Sequence, residues 1–358
     1  MKLNRNILPL DSTIKDALQK LNSLTANEMT LFVVDDLQSM KVVGTLTNGD
    51  VRRALLDGIN ICDSVSKAMF TDFKRLYEDN SDQVSDIAVL RQMGIMMVPV
   101  VDRTGRLVEI LDLNKQPTRL PLKAILMAGG KGERLRPLTL TTPKPLLEIG
   151  GKAIIDYNID ALIHVGINDI TVCAGYMADK IASHLKDKYD GLSIDCVAES
   201  KPLGTIGAVS QIKLPIGGKT LIMNSDLLTS VSFEEMYLKH KSTGAKVTVG
   251  VVPYQVSVPY AILNVEGETV RSIEEKPAYS HYANAGIYIF DNEILSEIKS
   301  GARTDAPDVI RYVIESGGNV SYYVINGTWI DIGSPTDFTQ AQDLMRHHRN
   351  LSGFNGGN

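Results

Sequence analysis

The sequence is poor in cysteine, in tryptophan and in long hydrophobic runs. It has 358 residues, with only three cysteines and one tryptophan. Cys62, Cys173 and Cys196 are far apart in the sequence, which excludes a disulfide framework and a cysteine-based metal site. We expect these thiols to be reduced, in a cytoplasmic protein. No apolar stretch reaches the length of a membrane span, and the first ten residues lack the apolar core of a signal peptide.

Positive charge is not concentrated in any part of the chain. The formal net charge is −5, and no long basic run is present. Binding to a phosphate backbone requires clustered lysine and arginine, so we expect neither a nucleic-acid partner nor a membrane partner. The chain is 44% hydrophobic and 22% charged. These values are typical of a globular protein, and the length allows two domains.

A glycine-rich segment carries most of the chemical information. Residues 126–139 read Leu-Met-Ala-Gly-Gly-Lys-Gly-Glu-Arg-Leu-Arg-Pro-Leu-Thr, and Pro-Lys-Pro-Leu follows at 143–146. Glycines let backbone N–H groups approach a polyphosphate, and Arg134 and Lys144 can neutralise its charge. The apolar run 124–128 predicts a buried strand that leads into this loop. The segment therefore predicts a nucleotide site that includes Ala128, Gly129, Gly130 and Gly132.

Two common phosphate-binding motifs do not fit this segment. No serine or threonine follows Gly132 as a P-loop requires, and Leu135 stands where the dinucleotide fingerprint has its third glycine. The string Gly-Gly-x-Gly-x-Arg-Leu-x-Pro-Leu-Thr, with the later Lys-Pro, closely resembles the motif of the sugar-1-phosphate nucleotidylyltransferases, also called nucleotide-sugar pyrophosphorylases. The resemblance covers residues 122–346. A bare glycine-rich turn, by contrast, would often be structural.

Strands and helices alternate from Lys123 onwards, which predicts βαβ units. We expect an α/β fold, a Rossmann-like and mainly parallel sheet with helices on both faces, as a catalytic domain over 122–346. The tail 347–358 is rich in glycine and asparagine, and we predict that it is disordered. The predicted strands are 123–128, 169–174, 193–198, 219–224 and 246–252, and the predicted helices are 152–165, 177–188, 205–212 and 233–242.

Two aspartates follow apolar runs, at the carboxyl ends of strands where ligands bind in open α/β sheets. An isolated aspartate at such a place is more often a cap or a turn former than a metal ligand. Asp226 and Asp331, however, match the metal positions of the family that the chain resembles, although Ser225 replaces the usual glycine. The resemblance thus implies Mg²⁺, a hard cation that prefers carboxylate and phosphate oxygens.

The resemblance also implies positions for the base and the sugar. The loop 199–207 is similar to the family's nucleobase loop, in which Glu199, Leu203, Gly204 and Thr205 would lie, although Thr205 equally fits a helix N-cap. The Glu-Glu-Lys-Pro string at 274–277 alone would suit a solvated hairpin. In the family such a string lies in the sugar-phosphate pocket. The implied sugar-binding residues are Glu275, Asn284 and Gly286, with Lys276 on the sugar phosphate.

The reaction implied by the resemblance is attack by a phosphate oxygen of a sugar 1-phosphate on the α-phosphorus of a nucleoside triphosphate. Arg134, Lys144, Asp226 and Lys276 are the implied catalytic residues. The Pro-Leu-Gly-Thr core of the base loop looks most like guanylyltransferases that use mannose-type or heptose 1-phosphates, which favours GTP and leaves UTP, dTTP and CTP open. The family's Tyr-Gly step is Tyr-Ala at 260–261, so the sugar also stays open.

The first 118 residues contain a weak internal repeat. Phe-Val-Val-Asp at 32–35 is echoed by Pro-Val-Val-Asp at 99–102, and a helix-like stretch precedes each copy, at 13–24 and 82–93. Such self-similarity indicates two copies of one supersecondary unit. The pattern resembles a pair of cystathionine-β-synthase (CBS) modules, a smaller α+β domain that often binds adenine nucleotides and regulates an attached enzyme.

The two copies differ where this ligand would bind. In the first copy the resemblance puts Thr47 on a phosphate and Asp50 on a ribose hydroxyl. In the second, Asp112 and Lys115 replace them, and a carboxylate at the phosphate position is repulsive. We therefore expect at most one competent adenine-nucleotide site. The alternative is that the pair binds no ligand and only packs or dimerises.

Two other functions remain open. In the first alternative, the chain is a catalytically silent homologue that binds a nucleotide sugar and regulates a partner. In the second, it is an adenine-nucleotide sensor that acts through its first domain. Retention of the charged motif residues argues against the former, and the altered second repeat argues against the latter. We expect a homo-oligomer, a dimer or a tetramer, because CBS-like pairs often associate.

Overall fold

The computed structural model describes residues 5–25 and 28–354. By internal packing the chain divides into two compact units. The first extends to Pro121 and includes residues 164–166, and the second begins at Leu122. Within the described ranges, no helix has both the length and the apolar character needed to cross a bilayer.

The first unit contains two similar three-stranded sheets, β1-β2-β3 and β4-β5-β6. In each, the first two strands are parallel and the last two antiparallel. Strands and helices therefore follow the predicted internal repeat. The elements are β1 (Ile7–Pro9), α1 (Ile14–Asn22), β2 (Thr30–Val34), β3 (Val42–Thr47), α2 (Asn48–Leu56), β4 (Leu76–Tyr77), α3 (Val84–Gln92), β5 (Met97–Val101) and β6 (Leu107–Asp112).

Each repeat has a hydrophobic cluster of its own, a third cluster joins the two, and the ends of the repeats differ in charge. Phe32 and Val42 of the first copy pack in one cluster with Val101 of the second. In the second copy, the Lys115 ammonium lies 2.7 Å from Glu28 and 3.0 Å from the Asp112 carboxylate. The charges of Asp112 and Lys115, which distinguish the second copy from the first, thus neutralise each other.

The second unit is built on a seven-stranded sheet of order β11-β10-β7-β12-β17-β14-β18. Its elements are β7 (Leu122–Ala128), β8 (Glu148–Ile149), β9 (Lys152–Ala153), α4 (Ile154–His164), β10 (Ile170–Ala174), α5 (Ala178–Lys188), β11 (Ile194–Ala198), β12 (Lys219–Asn224), β13 (Leu227–Thr229), α6 (Phe233–Thr243), β14 (Val247–Ser257), β15 (Ile262–Glu266), β16 (Thr269–Glu274), β17 (Ala278–Asp291), α7 (Asn292–Ser296), α8 (Ala306–Glu315), β18 (Val320–Val324), β19 (Trp329–Asp331) and α9 (Pro335–Phe354).

The predicted α/β class with a mainly parallel sheet is confirmed. Strand β7 is parallel to both of its neighbours, β10 and β12, and six of its seven residues are buried. Such continuous burial explains the unbroken apolar run in the sequence, because both faces of a central parallel strand are covered. Only β17 runs against its neighbours β12 and β14. The glycine-rich loop therefore begins at the carboxyl end of the central strand.

Two predicted elements differ from the structure. A helix was expected over 205–212, but the chain forms only a short 3₁₀ turn, Gly207–Gln211. The reason is that the Thr205 hydroxyl accepts a hydrogen bond from the amide of Ala306 at the start of α8, 2.7 Å away, and does not cap a helix of its own. At the C-terminus, α9 extends to Phe354, although the tail from residue 347 was predicted to be disordered. Residues 355–358 lie outside the described residues.

A buried carboxylate joins helices α4 and α5. Asp156 is 1% exposed and accepts hydrogen bonds from Lys188 at 2.7 Å and Tyr189 at 3.2 Å, with His184 at 2.9 Å. Burial raises the pKa of Asp156, but the hydrogen bonds from Lys188 and His184 outweigh it and lower the pKa overall. A carboxyl group with a lowered pKa stabilises the fold above its unfolded-state pKa, and this contribution is lost as the pH falls.

We therefore expect Asp156→Asn to lower the free energy of unfolding by about 1–3 kcal/mol at neutral pH, the cost of leaving buried donors poorly paired. The difference from the wild type should shrink as the pH falls below the unfolded-state pKa of the carboxyl group, because the unfolded chain then binds a proton more readily than the native carboxylate does. Urea unfolding at pH 7 and pH 3 measures this. A deficit of equal size at both values would contradict the electrostatic explanation.

Candidate active site

The glycine-rich loop turns back at the end of β7. Gly132 has a φ of +60°, and a Cβ atom there would lie 2.9 Å from Cγ2 of Thr139. The Thr139 hydroxyl donates a hydrogen bond to the Gly132 carbonyl at 2.8 Å. Position 132 therefore requires glycine, both because its φ is positive and because there is no room for a side chain. The fold of this loop leaves Gly130 and Arg134 exposed to solvent.

Two carboxylates meet beside this loop. Strands β13 and β19 pair antiparallel, with Leu227 opposite Asp331, so that the preceding Asp226 also lies near Asp331. The Ile332 amide donates to the Asp226 carbonyl at 3.2 Å. The Lys144 ammonium forms an ion pair with Asp226 and lies 3.6 Å from Asp331. The structure thus brings together one predicted cation and both predicted metal ligands.

The remaining predicted cation of the loop faces the same place. A Cβ atom added to Gly333 would lie 3.9 Å from Nη1 of Arg134 and 3.8 Å from Oδ1 of Asp331. Oδ2 of Asp337 lies 3.7 Å from the same point, so Arg134 approaches Gly333 together with the carboxylates of Asp331 and Asp337. Arg134, Lys144 and the two carboxylates form one site, which we call the carboxylate–cation site.

The electrostatics of the carboxylate–cation site fit a divalent ion. Oδ1 of Asp226 is buried and has no hydrogen-bond partner among the described residues. Burial raises the pKa of Asp331, and the nearby charge of Asp226 raises it further. Both observations mean that negative charge is incompletely neutralised, although Lys144 is present. The described residues include no group of three or more histidine, cysteine, aspartate or glutamate side chains arranged to hold a metal ion. Mg²⁺ commonly takes one or two carboxylates together with substrate phosphates and water.

Asn158 on helix α4 holds the turn that carries Asp226. This side chain is 3% exposed, and its Nδ2 donates to the carbonyls of Ser225 at 3.2 Å and Leu227 at 3.0 Å. It therefore fixes the peptide groups on both sides of Asp226. Sequence reasoning missed Asn158, because no motif marks it and only a buried polar residue in an apolar helix could have drawn attention to it.

A cavity of about 370 Å³ adjoins the carboxylate–cation site. Glu199 lines it, and Oε1 of its carboxylate is buried without a hydrogen-bond partner among the described residues. Oε2 accepts a hydrogen bond from the Leu203 amide at 3.3 Å, while burial raises the pKa of Glu199. A Cβ atom on Gly129 would lie 2.8 Å from Oε1. The cavity lining comprises Met127, Gly129, Gly130, Glu199, Pro202, Leu203, Gly204, Thr205, Asn224, Asp226 and Arg303.

The base loop is supported from behind by the segment before α8. Gly204 has a φ of +83°, and a Cβ atom there would lie 2.5 Å from the carbonyl oxygen of Thr304. The Thr205 amide donates to the Asp305 carboxylate at 2.8 Å, and the Thr205 hydroxyl accepts a hydrogen bond from the Ala306 amide at 2.7 Å. Thr205 thus lines the cavity while its side chain caps α8. Arg303 and Asn224 are lining residues that sequence reasoning missed.

The predicted sugar residues are not all brought to this cavity. Gly286, with a φ of +71°, approaches Asn224 so closely that a Cβ atom would lie 2.6 Å from its Nδ2. Asn284 accepts a hydrogen bond from the Gly286 amide at 3.0 Å, but it lines a different cavity of about 490 Å³. Glu275 and Lys276 are exposed between β16 and β17, and Lys276 has a φ of +44°.

In the first unit, Thr47 and Asp50 are hydrogen-bonded to each other. They form a capping box at the start of α2, in which the Thr47 hydroxyl donates to Asp50 at 2.6 Å. Both line a cavity of about 620 Å³ together with Arg53, Lys74 and Phe70. Both residues therefore line the cavity, while their side-chain oxygens cap the N-terminus of α2.

Comparison with known proteins finds similarity over the second unit. Residues 123–348 match the model of the nucleotidyl transferase family. A protein of Oryza sativa subsp. japonica named "Probable mannose-1-phosphate guanylyltransferase 1" is 34% identical over 227 residues, which are 61% of this chain and 63% of that protein. The mannose-1-phosphate guanylyltransferase catalytic subunit beta of Xenopus tropicalis is 31% identical over 226 residues, 61% of this chain and 62% of that protein.

The chain thus spans a little under two thirds of the length of the curated relatives it matches. Among solved structures, that of HddC from Yersinia pseudotuberculosis complexed with GMP-PN aligns at 24% identity with a TM-score of 0.47, covering 62% of this chain and 98% of that one.

Proposed function

Because the chain belongs to the nucleotidyl transferase family, we propose that it transfers a nucleotidyl group from a nucleoside triphosphate to a sugar 1-phosphate and releases pyrophosphate. The observation that carries this proposal is the carboxylate–cation site. Its two loop cations and its incompletely neutralised carboxylates lie beside a cavity that has glycine backbone on one side. This combination suits a triphosphate and a metal ion better than an uncharged ligand.

The proposed reaction needs no general base. The attacking group is a phosphate monoester with a second pKa of about 6, so it is mostly dianionic at neutral pH. Catalysis then rests on positioning and on neutralising charge at the phosphates. Arg134 stabilises the departing pyrophosphate, and Lys144 holds the sugar phosphate near the α-phosphorus. Lys276 is assigned to the sugar phosphate by family resemblance, and Glu275, Asn284 and Gly286 to the sugar.

Asp226 and Asp331 are the residues that would hold Mg²⁺. When bound, the ion supplies positive charge to the phosphate oxygens. The buried, unpartnered Oδ1 of Asp226 supports this role, because an isolated buried carboxylate oxygen is costly unless a cation or donor meets it. Lys144 occupies the other oxygen of the same carboxylate.

The experiment that tests the proposed reaction is a matrix of the four nucleoside triphosphates against a set of sugar 1-phosphates, read as pyrophosphate release. Turnover with at least one pair is the expected result. If no pair reacts but calorimetry detects binding of a nucleotide sugar, the chain is the silent homologue instead.

We propose GTP as the nucleotide because of Glu199. Its unpartnered oxygen and its Leu203-bound oxygen form a carboxylate edge on the cavity wall. Guanine presents two adjacent donors, N1–H and N2–H, which match such an edge, whereas uracil and thymine present one donor between two acceptors. The names of the mannose-1-phosphate guanylyltransferases among the relatives also favour GTP, with a mannose-type sugar.

We expect Glu199→Gln to lower kcat/KM for GTP by about 10- to 100-fold, the usual value of a bidentate contact to a base edge. UTP should lose far less, because it cannot use both carboxylate oxygens. Steady-state kinetics with both nucleotides measure the change, with Ser200→Ala as a control on the neighbouring exposed side chain. An equal loss for GTP and UTP would contradict guanine recognition.

A second candidate function concerns the first unit. We propose that its cavity of about 620 Å³ accepts an adenine nucleotide, since Lys74 offers positive charge and the exposed ring of Phe70 offers a stacking surface. Arg53 also lines the cavity, where it pairs with Asp50, and Asp72 adds a second carboxylate. Calorimetry with AMP and ATP on the full chain tests this, with Arg53→Ala and Lys74→Ala expected to weaken binding. Absence of heat with both nucleotides would leave the unit as a packing or assembly domain.

A further inference from the structure

The turn between strand β10 and helix α5 packs directly against the start of the glycine-rich loop. A Cβ atom added to Gly175, the first residue of this turn, would lie 2.7 Å from the carbonyl oxygen of Gly129. Only glycine allows two backbones to approach so closely. Met177, two residues later, has a φ of +53°, which persists for a residue with a side chain only where the surrounding structure holds it. The turn is therefore fixed against the loop that carries Arg134.

Two side chains, one from this turn and one from the start of α5, donate hydrogen bonds to the middle of the loop. The Tyr176 hydroxyl donates to the Thr139 carbonyl at 3.2 Å. The Lys180 ammonium donates to the Thr141 carbonyl at 2.6 Å. Because both acceptors are backbone carbonyls, these bonds fix the course of the main chain from 139 to 141 and not merely the direction of a side chain. We call Tyr176 and Lys180 the α5 brace.

The segment held by the α5 brace lies in the sequence between the two cations of the carboxylate–cation site. On its N-terminal side, the Thr139 hydroxyl donates to the Gly132 carbonyl at 2.8 Å, and Gly132 immediately precedes the 3₁₀ turn that contains Arg134. On its C-terminal side, the next 3₁₀ turn carries Lys144. Two successive hydrogen bonds thus connect Tyr176 with the backbone at the start of the Arg134 turn.

An exposed turn that has to neutralise phosphate charge gains from support of this kind. Arg134 is exposed, and the short 3₁₀ turn that carries it has poorer hydrogen-bond geometry than an α-helix. A ligand that binds to a loop free to move must order that loop, and the ordering weakens binding. A loop that is already held in place before the ligand arrives avoids this loss of affinity.

We propose that Tyr176, supported by Lys180, is a positioning residue that keeps Arg134 in place for the β- and γ-phosphates of a nucleoside triphosphate. Tyr176 acts through the backbone of the loop and not by contact with the ligand. The proposal rests on the proposed function, in which Arg134 stabilises the departing pyrophosphate. The effect of the α5 brace is therefore confined to the two phosphates that leave, and it does not extend to the base, the ribose or the α-phosphate.

Calorimetric titration of the full chain with nucleotide and Mg²⁺ tests the proposal, because without a sugar 1-phosphate the transfer cannot proceed. The probes are the triphosphate and the monophosphate of the nucleoside that the wild type binds best, which are GTP and GMP on the proposed function. Tyr176→Phe should weaken triphosphate binding by about 3- to 10-fold, the factor that corresponds to one net hydrogen bond, and leave monophosphate binding unchanged. Lys180→Met should act in the same direction. The matched control, Tyr157→Phe, loses a hydrogen bond of the same kind, to the Ile149 carbonyl, and should change neither affinity.

An Arg134→Ala background separates positioning from general support of the fold. There, Tyr176→Phe should cause no further loss of triphosphate affinity, because the group through which it acts is gone. Equal losses for triphosphate and monophosphate, an unchanged triphosphate affinity in Tyr176→Phe, or a full further loss in the Arg134→Ala background would overturn the proposal. Failure of the proposed function is recognised differently, by a wild type that binds nucleotide but releases no pyrophosphate with any sugar 1-phosphate. A wild type that binds no triphosphate would contradict both.

Discussion

Replacing either Lys144 or Asp226 by alanine is expected to lower turnover by about 100- to 1,000-fold, the cost of losing one charged group that stabilises a transition state. Lys144 is the cation that contacts both carboxylates, and Asp226 carries the buried, unpartnered oxygen. The fold should survive both changes, since the strands on either side, β12 and β13, are held by backbone pairing.

Pyrophosphate release measures this loss, and thermal unfolding confirms that each variant is folded. Glu133→Gln is a suitable control, because Glu133 lies on the same loop but is exposed, and its ion pair within the described part of the chain is with Arg136, at 3.6 Å. Activity near that of the wild type in both the Lys144 and the Asp226 variants would refute the assignment of the carboxylate–cation site.

If Asp226 holds Mg²⁺ as proposed, Asn158→Leu is expected to lower activity by about 10- to 100-fold, the usual effect of removing a group that orients a metal ligand. The substitution is similar in volume but leaves the Ser225 and Leu227 carbonyls without their donor. The turn can then rotate, and with it the Asp226 carboxylate. The loss should be recovered in part at high Mg²⁺ concentration, because the defect concerns affinity for the ion.

Two measurements separate this positioning role from a general loss of stability. Activity as a function of Mg²⁺ concentration should shift to higher concentration, and calorimetric binding of Mn²⁺ should weaken in parallel. Tyr157→Phe is the control on the same helix, since it removes the 2.7 Å hydrogen bond to the Ile149 carbonyl but leaves the Asn158 side chain in place. Unchanged Mn²⁺ affinity in the Asn158 variant would show that its side chain only supports the fold.

The sequence predicted those parts of the fold that depend on local patterns. The continuous apolar run before the glycines predicts β7, and the observed strand Leu122–Ala128 agrees with it to within one residue. The prediction of a strand from such an apolar run needs no information from elsewhere in the chain. The charged motif residues were equally accessible, because the family resemblance names Arg134, Lys144 and the two aspartates directly.

Features that depend on distant partners were not predictable in this way. The expected helix at 205–212 fails because the Thr205 hydroxyl is used by Ala306, about one hundred residues later. The same holds for Asn158, whose importance arises from two carbonyls nearly seventy residues away.

The ion pairs of Lys144 have a consequence for how a metal ion and a sugar phosphate affect each other's binding. One ammonium group faces two carboxylates in this structure, and on the proposed reaction it would also have to meet a sugar phosphate. A phosphate that draws Lys144 away increases the uncompensated negative charge of Asp226 and Asp331 and so strengthens their attraction for a divalent ion. Thermodynamic linkage requires the converse to the same degree. Metal and sugar phosphate should therefore show positive heterotropic cooperativity, with a single lysine as its origin.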